Sequence, residues 1–548
     1  MYDTTIPPKV SQYGQAQEDK AKQLLTRHDK LKSDRGNFES QWQDITDLVR
    51  PNAQNFNRQT FAGDMRTLKI FDSTAGKCNR ELASGLHSYG SSPTERWFNI
   101  TIRNKDKLAK KLNVRAWLER QSDTIYRHYA KPTAGHKTSL HELYLDQGAF
   151  GTAVLYQDVD LKNRGLTFQC FPLASCVIAE NSNGIVDTVF RMVEFTQRQA
   201  MQEFGEENPK EIREEKDPDK IFKFLHGVYP RKDRNPFKKN KKNKPFASCW
   251  VSKEYKKIVK ESGFNSFPYH CPRWTKIAGE IYGRSPAMDC LPDIRMVNEM
   301  KKTLLKSAQK KVDPALVIDN DGFLLPISTA PGAMIYRDSS EGKIEPLLTG
   351  GDIEIGIEII EQPRQHIGEC FFVDWLRLQK ENIQMTATEV MDRRNEKLQL
   401  MAPMLGRLES ELYSPMIQRS YELLALIGEI EDAPPEMAGD QLIIEYVSPA
   451  VRAQMTGKIT MIVQTLNDLT PVAAIAPSIF DRYNFDKIAD VINDLRGITP
   501  EILRTDEELA ALRKERKDME QLQAGADVGT KVTGAVKNLA QAGALGRK

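Results

Sequence analysis

The stretch FDSTAGKCNRELASGLHSYGSSPTERWF, Phe71 to Phe98, contains a Gly76-Lys77 pair of the kind that cradles nucleotide phosphates. A phosphate loop runs Gly, four residues, Gly-Lys, then Ser or Thr; the first Gly turns the backbone N–H groups inward and the hydroxyl holds Mg²⁺. Here the first position is Phe71 and the hydroxyl position is Cys78, so two chemically necessary residues are absent. The spacing instead predicts a helix over 73–89, N-capped by Asp72 or Ser73, with Ala75, Cys78, Leu82, Leu86 and Tyr89 on one face and Gly90 as its C′ residue. His141-Glu142-Leu143-Tyr144-Leu145 begins like a zinc-protease helix but lacks the second His. The 7 cysteines are scattered and never form C-x-x-C, which reads as reduced thiols rather than a disulfide framework. Acidic residues sit singly, whereas a metal-dependent nuclease needs them clustered. Expected here are a chain that is not an enzyme, no cofactor and no metal.

One further run could contact a ligand. YPRKDRNPFKKNKKNKPF, Tyr229 to Phe246, holds eight Lys or Arg against one Asp, with Lys238, Lys239, Lys241 and Lys242 at its centre. It reads either as a nucleic-acid contact or as a solvated hairpin tip, since Asn and Pro disfavour regular structure and no aromatic ladder for base stacking accompanies it. The net charge of +3 is small for 548 residues, so whole-molecule attraction to nucleic acid is not expected. No stretch approaches the ~18 apolar residues of a membrane span, and the N-terminus lacks the pattern of a secretory signal.

With 40% hydrophobic and 28% charged residues, the chain can bury sizeable cores. An amphipathic pattern covers 17–50 with a weak point at Arg35-Gly36, and helices are predicted over about 107–130 and 137–150. From Gly151 to Phe195 the period changes to short β-prone runs, and two more straddle 246–262. A strong helix follows, with Met288, Leu291, Ile294, Val297, Met300, Leu304 and Ala308 in a stripe that ends at Asp313-Pro314. Residues 314–350 read as strands around an exposed Asp319-Asn320-Asp321-Gly322 turn, and 352–370 as a helix containing Pro363. Thr386 to Glu389 is a capping box opening the longest helix, about 42 residues or roughly 63 Å. Pro403 and Pro415 should bend that helix. QLIIEYVSP is a late strand, 451–522 returns to helix, and the Gly/Ala-rich tail reads as disordered or ordered only in an assembly.

The segments FDSTAGKCNRELASGLHSYGSSPTERWF, YGRSPAMDCLPDIRMVNEMKKTLLKSAQKKVDPALVIDNDG and MTATEVMDRRNEKLQLMAPMLGRLESELYSPMI, together with Trp42 and Pro51, resemble the portal (head-to-tail connector) proteins of tailed bacteriophages, most closely those of short-tailed phages. The resemblance implies an α+β, mainly helical fold with wing, stem, clip and crown regions, assembled as a ring, usually of twelve. It implies a wing at 1–286 (with its β-rich part at 150–280), stem helices at 287–312 and 352–370 and a clip at 313–351. A channel loop at 371–384, a long bent helix at 385–428, wing return and crown at 429–522 and a flexible tail at 523–548 complete the division. Arg377, Lys380 and Asn382 would face DNA, and Asp319, Asn320, Asp321 and Phe323 would dock partners. The implied partners are further copies of the chain, major capsid and scaffolding proteins, the terminase large subunit, a tail adaptor and double-stranded DNA, with no membrane. The implied location is a capsid vertex of the virion, after assembly in the host cytoplasm. Twelve helices about 10 Å thick close a ring of roughly 120 Å circumference, leaving an opening of roughly 25–30 Å for a duplex. The competing reading is a DNA-binding scaffold acting through the basic 231–244 loop.

Overall fold

The computed structural model describes residues 12–519 except 59–62, 103–111, 236, 239, 320–329, 331–332, 338–344, 347–352, 374–401, 438–441, 447–448, 474–476, 497–503 and 505–507. Two compact units are present: Met1–Phe98 with Asp123–Glu431 and Tyr446–Ala453, and Asn99–Ser122 with Asp432–Glu445 and Gln454–Lys548.

The first unit opens with α1 (Gln12–Asp34) and α2 (Gly36–Leu48), separated at the predicted weak point. The break has a cause. Arg35 is buried, and its guanidinium donates to the carbonyls of Leu173, Ala174 and Cys176, an arrangement in which its own backbone leaves the helical path. Next come α3 (Thr74–Tyr89) and β1 (Phe98–Ile102), then α4 (Leu112–Ala130) and α5 (His136–Phe150). Ala75, Cys78, Leu82 and Leu86 of α3 are buried, as their spacing required. Gly90 departs from expectation: its φ is −91°, not left-handed, and a Cβ there would lie 2.5 Å from the Tyr413 hydroxyl. Close approach, not conformational freedom, selects that glycine.

The β-rich region begins with β2 (Val154–Asp160), β3 (Gly165–Phe171), β4 (Cys176–Glu180) and β5 (Val186–Thr196). After it come α6 (Gln197–Phe204), α7 (Lys210–Arg213), β6 (Ile221–Pro230), β7 (Phe246–Ser252), β8 (Lys257–Phe264) and β9 (Tyr269–His270). Strands β4 to β8 form one five-stranded antiparallel meander in sequence order, and β3-β2-β9 form a second sheet. The central strand, β6, was not expected from the sequence, since Leu225-His226-Gly227-Val228 reads poorly as a strand. It is completed by its neighbour: Gly227 pairs with Phe190, whose ring lies 2.7 Å from where a glycine Cβ would stand and fills the missing side chain's space. Side-chain alternation then seats Leu225 in the core shared with Leu24 and Leu25 of α1, and Phe222 and Phe224 in the core shared with Phe204 of α6.

Beyond the sheet, α8 (Pro286–Asp289) and α9 (Leu291–Val312) lead to β10 (Leu316–Asp319), β11 (Met334–Arg337) and β12 (Glu345–Pro346), and then α10 (Ile353–Cys370). β10 lies between β11, parallel to it, and β12, antiparallel. The described strands thus form a three-stranded mixed sheet, and the expected turn after Asp319 lies outside the described residues.

The predicted long helix is described from Ala402. It runs helically to Leu408, widens into a π-turn at Glu409–Tyr413, and resumes as Ser414–Leu426. Pro415 has no N–H for the carbonyl four residues back, and the Ser414 N–H reaches Glu409 O instead. In the second unit, β1 and β13 (Leu442–Tyr446) form a two-stranded sheet, followed by helices Pro449–Ala473 and Phe485–Arg496.

Three histidines of the first unit are sealed in its core. His226 stacks on Trp250 at 4.2 Å, His136 stacks on Tyr129 at 4.1 Å, and His270 meets the Gln157 amide at 2.8 Å. Burial pushes each down to about 3. Below about pH 6.5 the unfolded chain binds a proton at each position that the folded chain refuses, so stability falls as pH falls, by about 1.4 kcal/mol per pH unit per histidine. Asp146, raised to about 6 by burial against the pull of Arg50, acts in the opposite sense as pH falls through that value. The net expectation is a loss on the order of 4 kcal/mol between pH 7.5 and pH 5. Urea midpoints at the two pH values measure it, and coincident midpoints would contradict the burial assignment.

Candidate stem hairpin and basic tip

The elements expected to carry function are α9 and α10, the strands between them, and the turn joining β6 to β7. α8 is capped by Ser285, whose Oγ accepts from the Met288 N–H at 3.0 Å and donates to Ala149 O at 2.8 Å. The helix expected from 287 runs without interruption only from Leu291, because Cys290 (φ −99°, ψ 16°) breaks the helical path.

Asn298 then anchors α9 to the body. Its Oδ1 accepts from the N–H groups of Phe71 (2.8 Å) and Asp72 (3.2 Å), and its Nδ2 donates to Lys69 O (3.0 Å). α10 is tied to the same place, since Arg364 donates from Nε and Nη2 to Asp72 Oδ2. Burial opposes ionisation of Asp72, but hydrogen bonds from Thr74 and Arg364 outweigh it and hold its carboxyl below the usual carboxylate range. The FDSTAGK segment is thus a bracket at the foot of the hairpin. Asp72, not Ser73, supplies the cap by accepting the Thr74 N–H at 2.9 Å. The Lys77 N–H is used inside the helix by Ser73 O.

The pairs Asp293–His366 and Leu304–Gly356 show that α9 and α10 run antiparallel. A Cβ on Gly356 would lie 2.8 Å from Leu304 Cδ1, so the helices touch closely there. Their charges are opposite: α9 carries six Lys or Arg against two acids, α10 four Glu against one Arg. Apolar burial fades along the pair. Leu291, Ile294, Val297, Ile360 and Ile367 are buried, whereas Leu305 is 44%, Val312 87%, Ile357 49% and Ile359 54% exposed.

The sequence-predicted residues fall as follows. Asp319 ends β10. Asn320, Asp321 and Phe323 lie outside the described residues, as do Arg377, Lys380, Asn382 and Lys239. At the start of the 371–384 segment, Phe371 and Val373 are buried, and Phe372 sits at φ 57°, a left-handed conformation that cannot continue α10. Lys238, Lys241 and Lys242 are exposed in the β6–β7 turn beside Phe237, itself 94% exposed. That turn is moored by Arg231, whose Nη1 donates to Glu261 at 2.8 Å.

Sequence reasoning missed one structural hub. Arg273, 2% exposed, spends all five guanidinium hydrogens: on Glu411 from Nε and Nη2, on Glu180 and Ile281 O from Nη1, and on Gly184 O from Nη2. The π-turn places Glu411 for this contact, and no local signal ties residues so distant in sequence.

A β-rich body bearing a charge-complementary helical hairpin, with a small sheet between its two helices, defines a mixed helix-and-sheet protein. The chain matches the bacteriophage head to tail connecting protein family over residues 21–503, and it belongs to that family. It is 30% identical over 540 residues to the "probable portal protein" of Bordetella phage BPP-1, covering 94% of this chain and 96% of that one. It is 28% identical over 540 residues to the "portal protein" of Salmonella phage epsilon15, covering 96% of each. A chain of the solved virion of a native gene transfer agent particle aligns with 79% of this chain and 95% of its own at 11% identity, with a TM-score of 0.34. Among the described residues, no helix is long and apolar enough to cross a membrane.

Proposed function

We infer that this chain is a portal subunit: many copies, in the expected case twelve, close into a ring at one capsid vertex and pass double-stranded DNA inward during packaging and outward during ejection. The observation that carries this reading is the stem hairpin. In a chain of the head-to-tail connecting family, α9 and α10 expose Leu305, Val312, Ile357 and Ile359 and carry opposite charge, as expected of helices that pack side by side with the next copy.

On this reading 287–312 and 352–370 are stem, 313–351 is the clip that docks the terminase and later the tail adaptor, and the body at 1–286 is wing. The 385–428 helix joins stem to wing, and 429–522 supplies wing return and crown. Capsid and scaffolding proteins surround the ring, and the chain performs no chemical step. Arg377, Lys380 and Asn382 are assigned to the channel. Each firm phosphate contact adds a salt-dependent hold on DNA, so a conducting channel keeps few of them. Residues Asp319, Asn320, Asp321 and Phe323 are assigned to docking.

Negative-stain images of the purified protein should show rings with a central hole; solitary particles under all conditions, including co-expression with capsid protein, would refute the reading. Substituting Arg377 and Lys380 together by Ala should leave rings intact while changing the amount of DNA packaged or retained, measured by nuclease protection. The reading that the exposed tip at Lys238, Lys241 and Lys242 makes a DNA-binding scaffold predicts tight, salt-sensitive duplex binding by monomers instead.

A further inference from the structure

Two cysteines meet at the root of the stem hairpin. Cys290 is buried between α8 and α9, and its thiol donates to Pro286 O at 3.2 Å. Cys370 ends α10 and is partly exposed. Because the helices are antiparallel and His366 meets Asp293 at 2.7 Å, the turn of α9 that starts at Cys290 lies against the last turn of α10, where Cys370 stands. One turn back on α10, His366 Nε2 stands 3.9 Å from Cys370 Sγ, while its Nδ1 is held by Asp293 Oδ2 at 2.7 Å. A cavity of about 340 Å³, walled by Trp274, Thr275, Asp289 and Phe372, opens onto Cys370 and His366.

The electrostatics agree with the geometry. The neighbouring Cys290 lowers Cys370 to about 7 against the cost of burial, and His366 adds to the effect. His366 is itself raised, first by its bond to Asp293. Asp289 and Asp293 pull the other way. Cys370, with burial, pushes Cys290 up, so it stays a thiol. Burial also raises Cys170, Cys176, Cys249 and Cys271. Selective thiolate character at an open cavity, beside a second sulfur, is the arrangement of a redox-sensing pair.

We propose that Cys370 is an oxidisable nucleophile and Cys290 its resolving partner, so that a peroxide joins the root of α9 to the end of α10 through a disulfide. The Cys370 thiolate attacks a peroxide oxygen, the O–O bond breaks, and Cys370 becomes a sulfenic acid as hydroxide leaves and takes a proton to form water. The Cys290 sulfur then attacks Cys370 Sγ, the S–O bond breaks, and a second water leaves with the Cys290 proton. Two thiols lose two electrons and one hydrogen peroxide is reduced to two waters. The bond fixes the foot of the hairpin, and it stands independently of what the hairpin encloses.

The test uses the reduced full-length chain and hydrogen peroxide, followed by alkylation under denaturing conditions and peptide mapping. A Cys290–Cys370 disulfide peptide is expected in the wild type, and C290S should instead accumulate Cys370 sulfenic acid, captured by dimedone. The rate of Cys370 alkylation by iodoacetamide should bend near pH 7 in the wild type and shift to higher pH in H366Q. Recovery of both cysteines as free thiols after peroxide, pairing of Cys370 with another cysteine, or an alkylation profile unmoved by H366Q would each overturn the assignment.

Discussion

Arg273→Ala should destabilise the folded chain by about 3–5 kcal/mol, the cost of removing one partner from a buried ion network. The side chain is 2% exposed and links the β4 end (Glu180), the following turn (Gly184) and the π-turn of the long helix (Glu411). Its removal takes the shared cation from Glu180 and Glu411, leaving Glu180 with Lys276 at 2.6 Å and Glu411 with Arg407 at the longer 3.5 Å. Arg273→Lys should be intermediate, since an ammonium has three donors and cannot reproduce the planar fork that meets Glu411 from both Nε and Nη2. Adding Glu411→Gln to Arg273→Ala should recover part of the loss by removing one stranded charge. Urea unfolding of the three variants measures this. If Arg273→Ala costs under about 1 kcal/mol, the surface-pair range, the network is not what joins sheet to helix.

The second large effect lies in assembly. Leu305→Glu with Ile359→Glu should leave the isolated chain folded, because both residues are about half exposed (44% and 54%) and such substitutions cost little in a monomer. In a closed ring the same residues would be covered by the next copy, where an apolar contact is exchanged for an unpaired charge. A loss of about 2 kcal/mol per seam follows from the transfer of half a side chain and the desolvation of the carboxylate. Repeated around twelve seams, that is on the order of 24 kcal/mol per ring, enough to abolish closure. Sedimentation should show the variant as monomer with an unchanged far-UV circular-dichroism spectrum, where on the proposed reading the wild type gives rings. Rings of normal yield from the double variant would remove the hairpin from the seam and with it the stem assignment.

Much of the local architecture was legible in the residues. The stripes of 74–89 and 291–312, the break at Arg35, the strands between 154 and 196, and Pro363 within α10 all follow from period and turn chemistry. β6 was not legible. Its glycine and histidine are poor strand formers taken alone, and they are tolerated because Phe190 covers one and Trp250, Tyr269 and Ser248 surround the other. For the candidate site, α9 could be read from its stripe, whereas the hub at Arg273 and the clamp at Asn298 could not, since a lone polar residue carries no mark of the partner it will meet.

The sequence by itself determined most of the helices and strands, β6 excepted, and through motifs spread along the chain it determined the family. Those signals are short-range, set by the 3.6- and 2-residue periods of backbone geometry. Only the tertiary structure decided that FDSTAGK brackets the foot of the α9–α10 hairpin, that Glu411 reaches Arg273 from a π-turn, and that the root of α9 at Cys290 lies against the end of α10 at Cys370. Each of those contacts joins residues far apart in the chain, and the path that brings them together is set by the packing of whole elements, which no local window of residues contains.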